Sequence, residues 1–164
     1  MNLKIEIRYA VLMSLLMLLW LSLEFMVGLQ DTYIQYHPYV TMFALIIPIV
    51  CSRLVLLDKL EQLNGKIDFK QGLKTGIMVA IFAALLSIPV QLAFHFLINP
   101  DFFDDMRAYS INRAMVLGMD VAKAKADAIA YFNLLSYLLQ SFFGTLIFGS
   151  IIAAVMAWRM RTDK

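Results

Sequence analysis

Cysteine is almost absent from this sequence, since Cys51 is the only one among 164 residues. A lone cysteine excludes a disulfide within the chain and any metal site built from two thiolates. The sequence also lacks a Gly-rich phosphate loop, a His-Glu-x-x-His motif and a nucleophile elbow. His37 and His95 lie in different segments without obvious partners. We therefore expect no enzyme, no metal site and no cofactor.

Charge is scarce as well. Only 16% of the residues are charged, whereas 62% are hydrophobic, and the mean hydropathy is +0.75. A soluble globular domain has about 45–50% apolar residues, so water is not the main solvent of this chain. The net charge of +2 is small, and the basic residues are spread among the loops, so the sequence does not indicate a nucleic-acid-binding surface. Membrane lipids are the partners that this composition predicts.

Four apolar stretches are long enough to cross a bilayer, at about 20 residues each. They cover about 9–29, 38–57, 76–98 and 131–158. The first stretch is too long for a secretory signal, and Glu24-Phe25-Met26 stands where a small-residue cleavage site would be. The sequence therefore predicts one all-α domain over residues 1–164, an integral membrane bundle of four helices.

Lysine and arginine predict the orientation of the bundle, because they accumulate on the cytoplasmic side. Four of the fourteen, Arg107, Arg113, Lys123 and Lys125, lie between the third and fourth spans. Of the other ten, two precede the first span, five lie in the region from Arg53 to Lys74, and three follow the fourth span. We expect both termini in the cytoplasm of a bacterium, with the four spans in its inner membrane.

The connection 99–130 predicts an external, amphipathic helical hairpin. Asn99 is a candidate cap for a helix that starts at Pro100, and Gly118 is a candidate end for it. Asp120 is a candidate cap for a second helix, which starts at Val121 and can run directly into the fourth span. Three carboxylates support the start of the first helix. The alternative role for these three, a divalent cation site, has little resemblance to an EF-hand; they are Asp101, Asp104 and Asp105.

Small residues recur every four positions in the third and fourth helices. Such ridges allow helix backbones to approach closely. The parts from Gly76 to Ala84 and from Gly149 to Ala157 lie in the predicted cytoplasmic half of the bilayer, so we expect the two helices to pack there. The alternatives are a seam between copies of the chain and a chance content of alanine and glycine. The ridges are Gly72, Gly76, Ala80 and Ala84, and Ser141, Thr145, Gly149, Ala153 and Ala157.

Glu24 is the one carboxylate inside a predicted span, close to its outer end. An ionised carboxylate is costly in hydrocarbon, so it needs a partner or water. Gln91, His95 and Gln140 should lie at a similar depth, with His95 as the leading candidate partner. The functional hypothesis is a polar cluster for a proton, a cation or a lipid headgroup. The alternative is a carboxylate that His95 satisfies or that reaches the membrane surface.

The chain resembles the domain of unknown function 4199 family of small bacterial membrane proteins. The resemblance rests on the overall layout, on the segment from Gly65 to Gly76 (Gly-Lys-Ile-Asp-Phe-Lys-Gln-Gly-Leu-Lys-Thr-Gly) and on Ile98-Asn99-Pro100-Asp101-Phe102. It covers nearly the whole length. It implies a four-span bacterial envelope protein, and it brings no activity, substrate or catalytic residue.

Three classes of function follow from these patterns. The favoured one is a non-catalytic membrane component that assembles with partners or regulates them, or assembles with copies of itself, through helix faces and the hairpin. The alternative is a small transporter, channel or lipid-handling protein that uses the Glu24 neighbourhood. A membrane enzyme would need a catalytic group that the sequence does not reveal.

Overall fold

The computed structural model describes residues 3–162, and this part of the chain forms helices and loops without a β-strand. Four helical stretches are long and apolar enough to cross a membrane. They are Lys4–Met26, Ile34–Gln62, Phe69–Ile98 and Leu134–Met160. The prediction of an all-α chain with four membrane helices is confirmed.

Seven α-helices lie within residues 3–162. They are α1 (Lys4–Met26), α2 (His37–Val40), α3 (Ile46–Gln62), α4 (Phe69–Ala93), α5 (Phe102–Val116), α6 (Val121–Tyr131) and α7 (Leu134–Met160). The second span is a composite, in which 3-10 turns at Ile34–Tyr36 and Thr41–Leu45 flank α2. The third span ends in a π-helical turn at Phe94–Ile98. Hydropathy predicted the apolar part of each span. Several of the observed helices are longer than the predicted spans, because helical hydrogen bonding continues into the polar residues that follow or precede the apolar part.

The four spans alternate in direction, so each end of the bundle gathers different parts of the chain. At one end, which we call the terminal end, Thr162 hydrogen-bonds Ile67 and Arg8 pairs with Asp58 at 2.5 Å. At the other, the hairpin end, lie the loop after α1 and the two helices α5 and α6, which pack against each other. α4 contacts each of the other three spans and is the central helix.

α4 and α7 approach each other more closely than any other pair of helices. A Cβ atom built on Gly76 would lie 2.5 Å from the Cβ of Ala153, and one on Gly149 would lie 2.8 Å from the Cβ of Ala80. Gly72 faces Ala157 in the same way, at 3.1 Å. The small residues of the two helices therefore face each other within one chain, in the half of the bundle next to the terminal end. We call this contact the zip; its pairs are Gly72–Ala157, Gly76–Ala153 and Ala80–Gly149.

A largely buried ion pair and a hydrogen bond join α1 to α3 at the terminal end. Lys59 Nζ lies 3.1 Å from Glu6 Oε1, and Glu6 is only 3% exposed. The Tyr9 hydroxyl donates to Asp58 Oδ2 at 2.9 Å. An apolar core that includes Val55 continues from these pairs towards the middle of the bundle. These contacts fix the α1–α3 pair beside the α4–α7 zip.

The connection between the third and fourth spans forms a helical hairpin, with one error in its predicted start. α5 begins at Phe102, two residues after the predicted position, and Asn99 does not cap it. The Asn99 side chain is instead buried and donates to Gln30 Oε1 at 2.9 Å, so its amide bridges two loops. Gly118, with a φ of +66°, follows the end of α5 as predicted. The side chain of Asp120 caps α6, which confirms that prediction.

α6 does not continue into the fourth span, contrary to the prediction. Asn133 has an extended backbone, with φ −146° and ψ 159°, and this breaks the helix. Its side chain accepts from the Ser136 amide at 3.0 Å and donates to the Ala130 carbonyl at 2.8 Å. One asparagine thus caps the start of α7 and also hydrogen-bonds a carbonyl at the end of α6. The break at Asn133 allows the two helices to differ in direction.

Carboxylates crowd the start of α5. Partial burial, followed by the charges of Asp101, Asp31 and Asp104, raises the pKa of Asp105 above its usual range. The stability that depends on Asp105 therefore falls as the pH rises from its ordinary pKa to the raised one. Asp104 is paired with Arg107 at 3.2 Å. Within residues 3–162, no three His, Cys, Asp or Glu side chains are placed to share a metal ion.

The zip predicts opposite effects of one substitution at two glycines. Gly76→Ala places a methyl group against Ala153 and should cost about 1–3 kcal/mol of stability through overpacking. Gly144→Ala, on α7, meets no atom within 4 Å and should be neutral or stabilising by up to about 1 kcal/mol. Thermal denaturation of both variants in one detergent measures the difference. Equal melting temperatures would mean that α4 and α7 do not touch at Gly76.

Candidate functional site

Glu24 lies on α1 near the hairpin end and is only 2% exposed. Its Oε1 accepts hydrogen bonds from Trp20 Nε1 at 2.7 Å and from Thr41 Oγ1 at 2.6 Å. The Nε2 of His37 lies 3.6 Å from the other carboxylate oxygen, Oε2. The carboxylate is therefore held by its own helix and by the start of the second span.

Helical spacing explains why these side chains meet. Trp20 precedes Glu24 by four residues, so both lie on one face of α1. His37 and Thr41 are also four residues apart and face α1 together. A buried carboxylate with two donors and an adjacent imidazole can be stable where hydrocarbon alone would disfavour it.

The prediction that His95 is the partner of Glu24 requires correction. His95 lies in the π-helical turn, 5% exposed, and neither ring nitrogen has a hydrogen-bond partner among the residues that the structure describes. Its ring packs on Phe103 at 4.3 Å and Phe102 at 4.9 Å between centroids, and on Tyr137 at 5.8 Å. Depth was a poor guide because the helix rotation directs His95 into an aromatic cluster.

Gln91 and Gln140 lie in a third environment. Gln91 Nε2 donates to Ser141 Oγ at 2.7 Å and so joins α4 to α7. Gln140 is exposed and lies beside this pair on α7. Neither amide has a hydrogen bond to Glu24. The four residues of the predicted cluster are therefore distributed over three groups, two of which meet at Phe102, whose ring lies 6.2 Å from that of His37.

A cavity of about 290 Å³ lies among the four spans and connects two of these groups. Thr41, which donates to Glu24, lines it on one side, and Gln91 and Ser141 line it on another. Met17 and Phe148 contribute to its apolar walls. The cavity begins where the α4–α7 zip ends, next to Gly149, and extends towards the hairpin end.

Gly144 shows why the cavity exists. A Cβ atom built there would meet no heavy atom within 4 Å, in contrast to the tight contacts at Gly76 and Gly149. The face of α7 at Gly144 therefore borders open space, and the Gln91–Ser141 hydrogen bond joins α4 to α7 beside it. Small residues in one half of the helix pair close the gap, whereas in the other half they line an open space.

The cavity wall is apolar in its chemistry, although several of its residues carry hydroxyl groups. Ser14 donates to the carbonyl of Ala10, and Ser87 donates to that of Ala84. The Thr41 hydroxyl donates to Glu24. Because these donors are already used within the protein, the wall presents mainly carbon atoms to an occupant.

Sequence reasoning missed His37, Thr41 and Trp20 as members of this site. Trp20 could have been found, since it stands four residues before Glu24 on the same helix. His37 immediately precedes the predicted second span, and a short loop connects that span to Glu24. This proximity was a usable signal. No periodicity in the sequence indicated the cavity, because side chains from four different spans line it.

The family comparison agrees with this architecture. A family model described as "Protein of unknown function (DUF4199)" matches residues 8–162. The chain belongs to this family. The match covers nearly the whole chain of this DUF4199 member, including all three groups of polar residues, and it confirms the resemblance expected from the sequence. No curated protein and no solved structure matches the chain.

Two substitutions of Glu24 test its hydrogen bonds. Glu24→Gln keeps an acceptor for Trp20 and Thr41 but loses the charge that faces His37. Glu24→Ala removes every contact and should lower stability further, by about 1–3 kcal/mol for the donors left without a partner. Thermal denaturation of both variants in detergent should rank wild type above Gln and Gln above Ala.

Glu61→Ala is the matched control, because Glu61 is exposed at the end of α3 and should be close to wild type. If Gln and Ala destabilised the protein equally, the bonds to Oε1 would not contribute to the fold.

Proposed function

We propose that this protein is a non-catalytic, multi-pass component of a bacterial inner membrane that binds the apolar chain of a lipid between its spans. The cavity of about 290 Å³ among all four spans is the observation that supports this function. Binding pockets for small molecules occupy about 300–1,000 Å³, so the space suits one chain rather than a whole lipid.

The wall chemistry favours an apolar occupant. The hydroxyl groups of Ser14, Thr41 and Ser87 are bonded within the protein, as described above. Apolar cavities stay dry and bind apolar molecules, and a space of about 150 Å³ already holds benzene. An acyl or prenyl chain that enters from the surrounding bilayer meets these conditions.

The residues at the cavity support a role without catalysis. The lining side chains are aliphatic, aromatic, hydroxyl or amide groups, and none of them titrates near neutral pH. Glu24 does not line the cavity; it is connected to it by the hydrogen bond from the Thr41 hydroxyl. Its Oε1 already accepts two hydrogen bonds. General acid–base catalysis needs a titratable group within reach of the ligand.

Assembly with other membrane proteins is the second function that we propose, and α7 favours it. In an apolar stretch of 18 residues of α7, only 11% is buried inside the protein, compared with 28% in the corresponding stretch of each of the other three spans. Its free face carries large side chains such as Leu139, Phe143 and Ile147, which suit either lipid or a partner helix.

Purification from native membranes separates the two functions: retained lipid alone supports the first, and a stoichiometric protein supports the second.

The proposed orientation places the terminal end in the cytoplasm and the hairpin outside, as the lysine and arginine distribution favours. Single cysteines at Lys66 and Ser110, in a Cys51→Ser background, test it. An impermeant thiol reagent added to intact spheroplasts should label the Ser110 site and leave the Lys66 site unlabelled until the membrane is opened. The reverse pattern would invert the topology.

Filling the cavity tests lipid-chain binding. Gly144→Leu extends a side chain into the open space and should displace an occupant without a clash at Cβ. The probe is a phosphatidylethanolamine with a diazirine in one acyl chain, reconstituted with the full-length protein. Mass spectrometry should find cross-links at Met17 in the wild type, and the substitution should reduce them several-fold.

Ile147→Leu is the control, because Ile147 is on the same helix and exposed on its outer face. Cross-links at the outer face of α7 should not change in either variant. Cavity cross-links that persist at full intensity in Gly144→Leu, or that never occur in the wild type, would contradict the proposal.

A further inference from the structure

The connection between α5 and α6 exposes an unusual run of apolar side chains. In the seven residues 115–121, five are apolar and exposed, and the largest fractions are 80% for Val116 and 62% for Leu117. Gly118 makes the turn, and the Asp120 carboxylate accepts from the Lys123 amide. We call residues 115–121 the hairpin tip. The five apolar residues are Met115, Val116, Leu117, Met119 and Val121.

The tip is far from the part of the hairpin that is fixed to the bundle. Phe102 and Met106, at the start of α5, are buried, and Arg107 donates to the Phe132 carbonyl at 3.0 Å. Fifteen residues of α5 span about 22 Å at 1.5 Å per residue. Each of residues 115–121 is exposed, so the described chain does not cover the tip.

Positive charge surrounds the tip. Arg113, Lys123 and Lys125 are exposed within about one turn of it on the two helices. The nearest carboxylate, Asp120, is occupied with the α6 cap. We call these three basic residues the cationic collar. An apolar tip with such a collar complements an anionic lipid surface, because each basic residue adds electrostatic attraction to the headgroups.

A second copy of the chain fits this tip less well. Two tips in contact would bring six cationic side chains together, and like charges oppose such an approach. The bilayer, by contrast, is always within reach, because the spans on both sides of the hairpin end at its surface. We propose that the hairpin tip inserts into the headgroup and upper acyl region of the same bilayer that holds the spans, with its collar on anionic headgroups.

A fluorescent label at the tip tests this proposal in the full-length protein. Val116→Cys in a Cys51→Ser background is labelled with the dye NBD and placed, one copy per disc, in lipid nanodiscs. We expect a blue-shifted emission that a doxyl group near the headgroup quenches. Phosphatidylglycerol in the disc should increase both effects over phosphatidylcholine alone. Lys123→Gln with Lys125→Gln should remove this dependence on phosphatidylglycerol.

The control keeps the dye position and changes the tip. Leu117→Ser with Met119→Ser should return the emission towards its value in water, and an unchanged signal would show that the dye alone inserts, which overturns the proposal. Emission typical of water in the unmodified tip overturns it, because the hairpin then points away from the bilayer. So does a blue shift that appears only with two copies per disc, or one that is equal in both lipid mixtures.

Discussion

The close approach of α4 and α7 is the contact on which the rest of the bundle depends. Gly76 and Ala153, and Ala80 and Gly149, bring two backbones together where larger side chains would hold them apart. In a bilayer, where lipid tails are as apolar as side chains, such packing is a main source of helix association. Because α4 also contacts α1 and α3, this zip places all four spans.

The zip also borders the cavity, because Gly149 belongs to both. Gly144, further along the same helix, faces open space. The polar groups around the cavity are paired with one another: Gln91 with Ser141, and Thr41 with Glu24. This pairing lets a protein carry amides and a carboxylate inside a membrane and still present an apolar cavity.

Hydropathy and helical spacing predicted the four spans, the small-residue ridges and the cap at Asp120, since each is a property of one local segment. The partner of Glu24 was not predictable in the same way. Depth in the bilayer can be counted along each helix, but the rotation of a helix depends on its neighbours. His37 and His95 lie at the same end of the bundle, and the rotation alone decides which one reaches the carboxylate. Asn99 shows the same limit, because its amide bonds Gln30 in a loop distant in the sequence.

The aromatic cluster around His95 links the hairpin to the end of the third span and to α7. Phe102 and Phe103 come from α5, His95 from the end of the third span, and Tyr137 from α7, with centroid distances of 4.3–5.8 Å among the pairs of His95 with Phe102, Phe103 and Tyr137. α4 and α7 are thus connected at three levels: by the zip, by the Gln91–Ser141 bond, and by rings that belong partly to the hairpin. Close-packed rings leave little free volume, so the first turn of α5 is packed as part of the bundle. The exposed side chains of residues 115–117, at the other end of the same helix and just beyond it, have no such packing. One helix of the hairpin therefore combines a fixed end with an uncovered one.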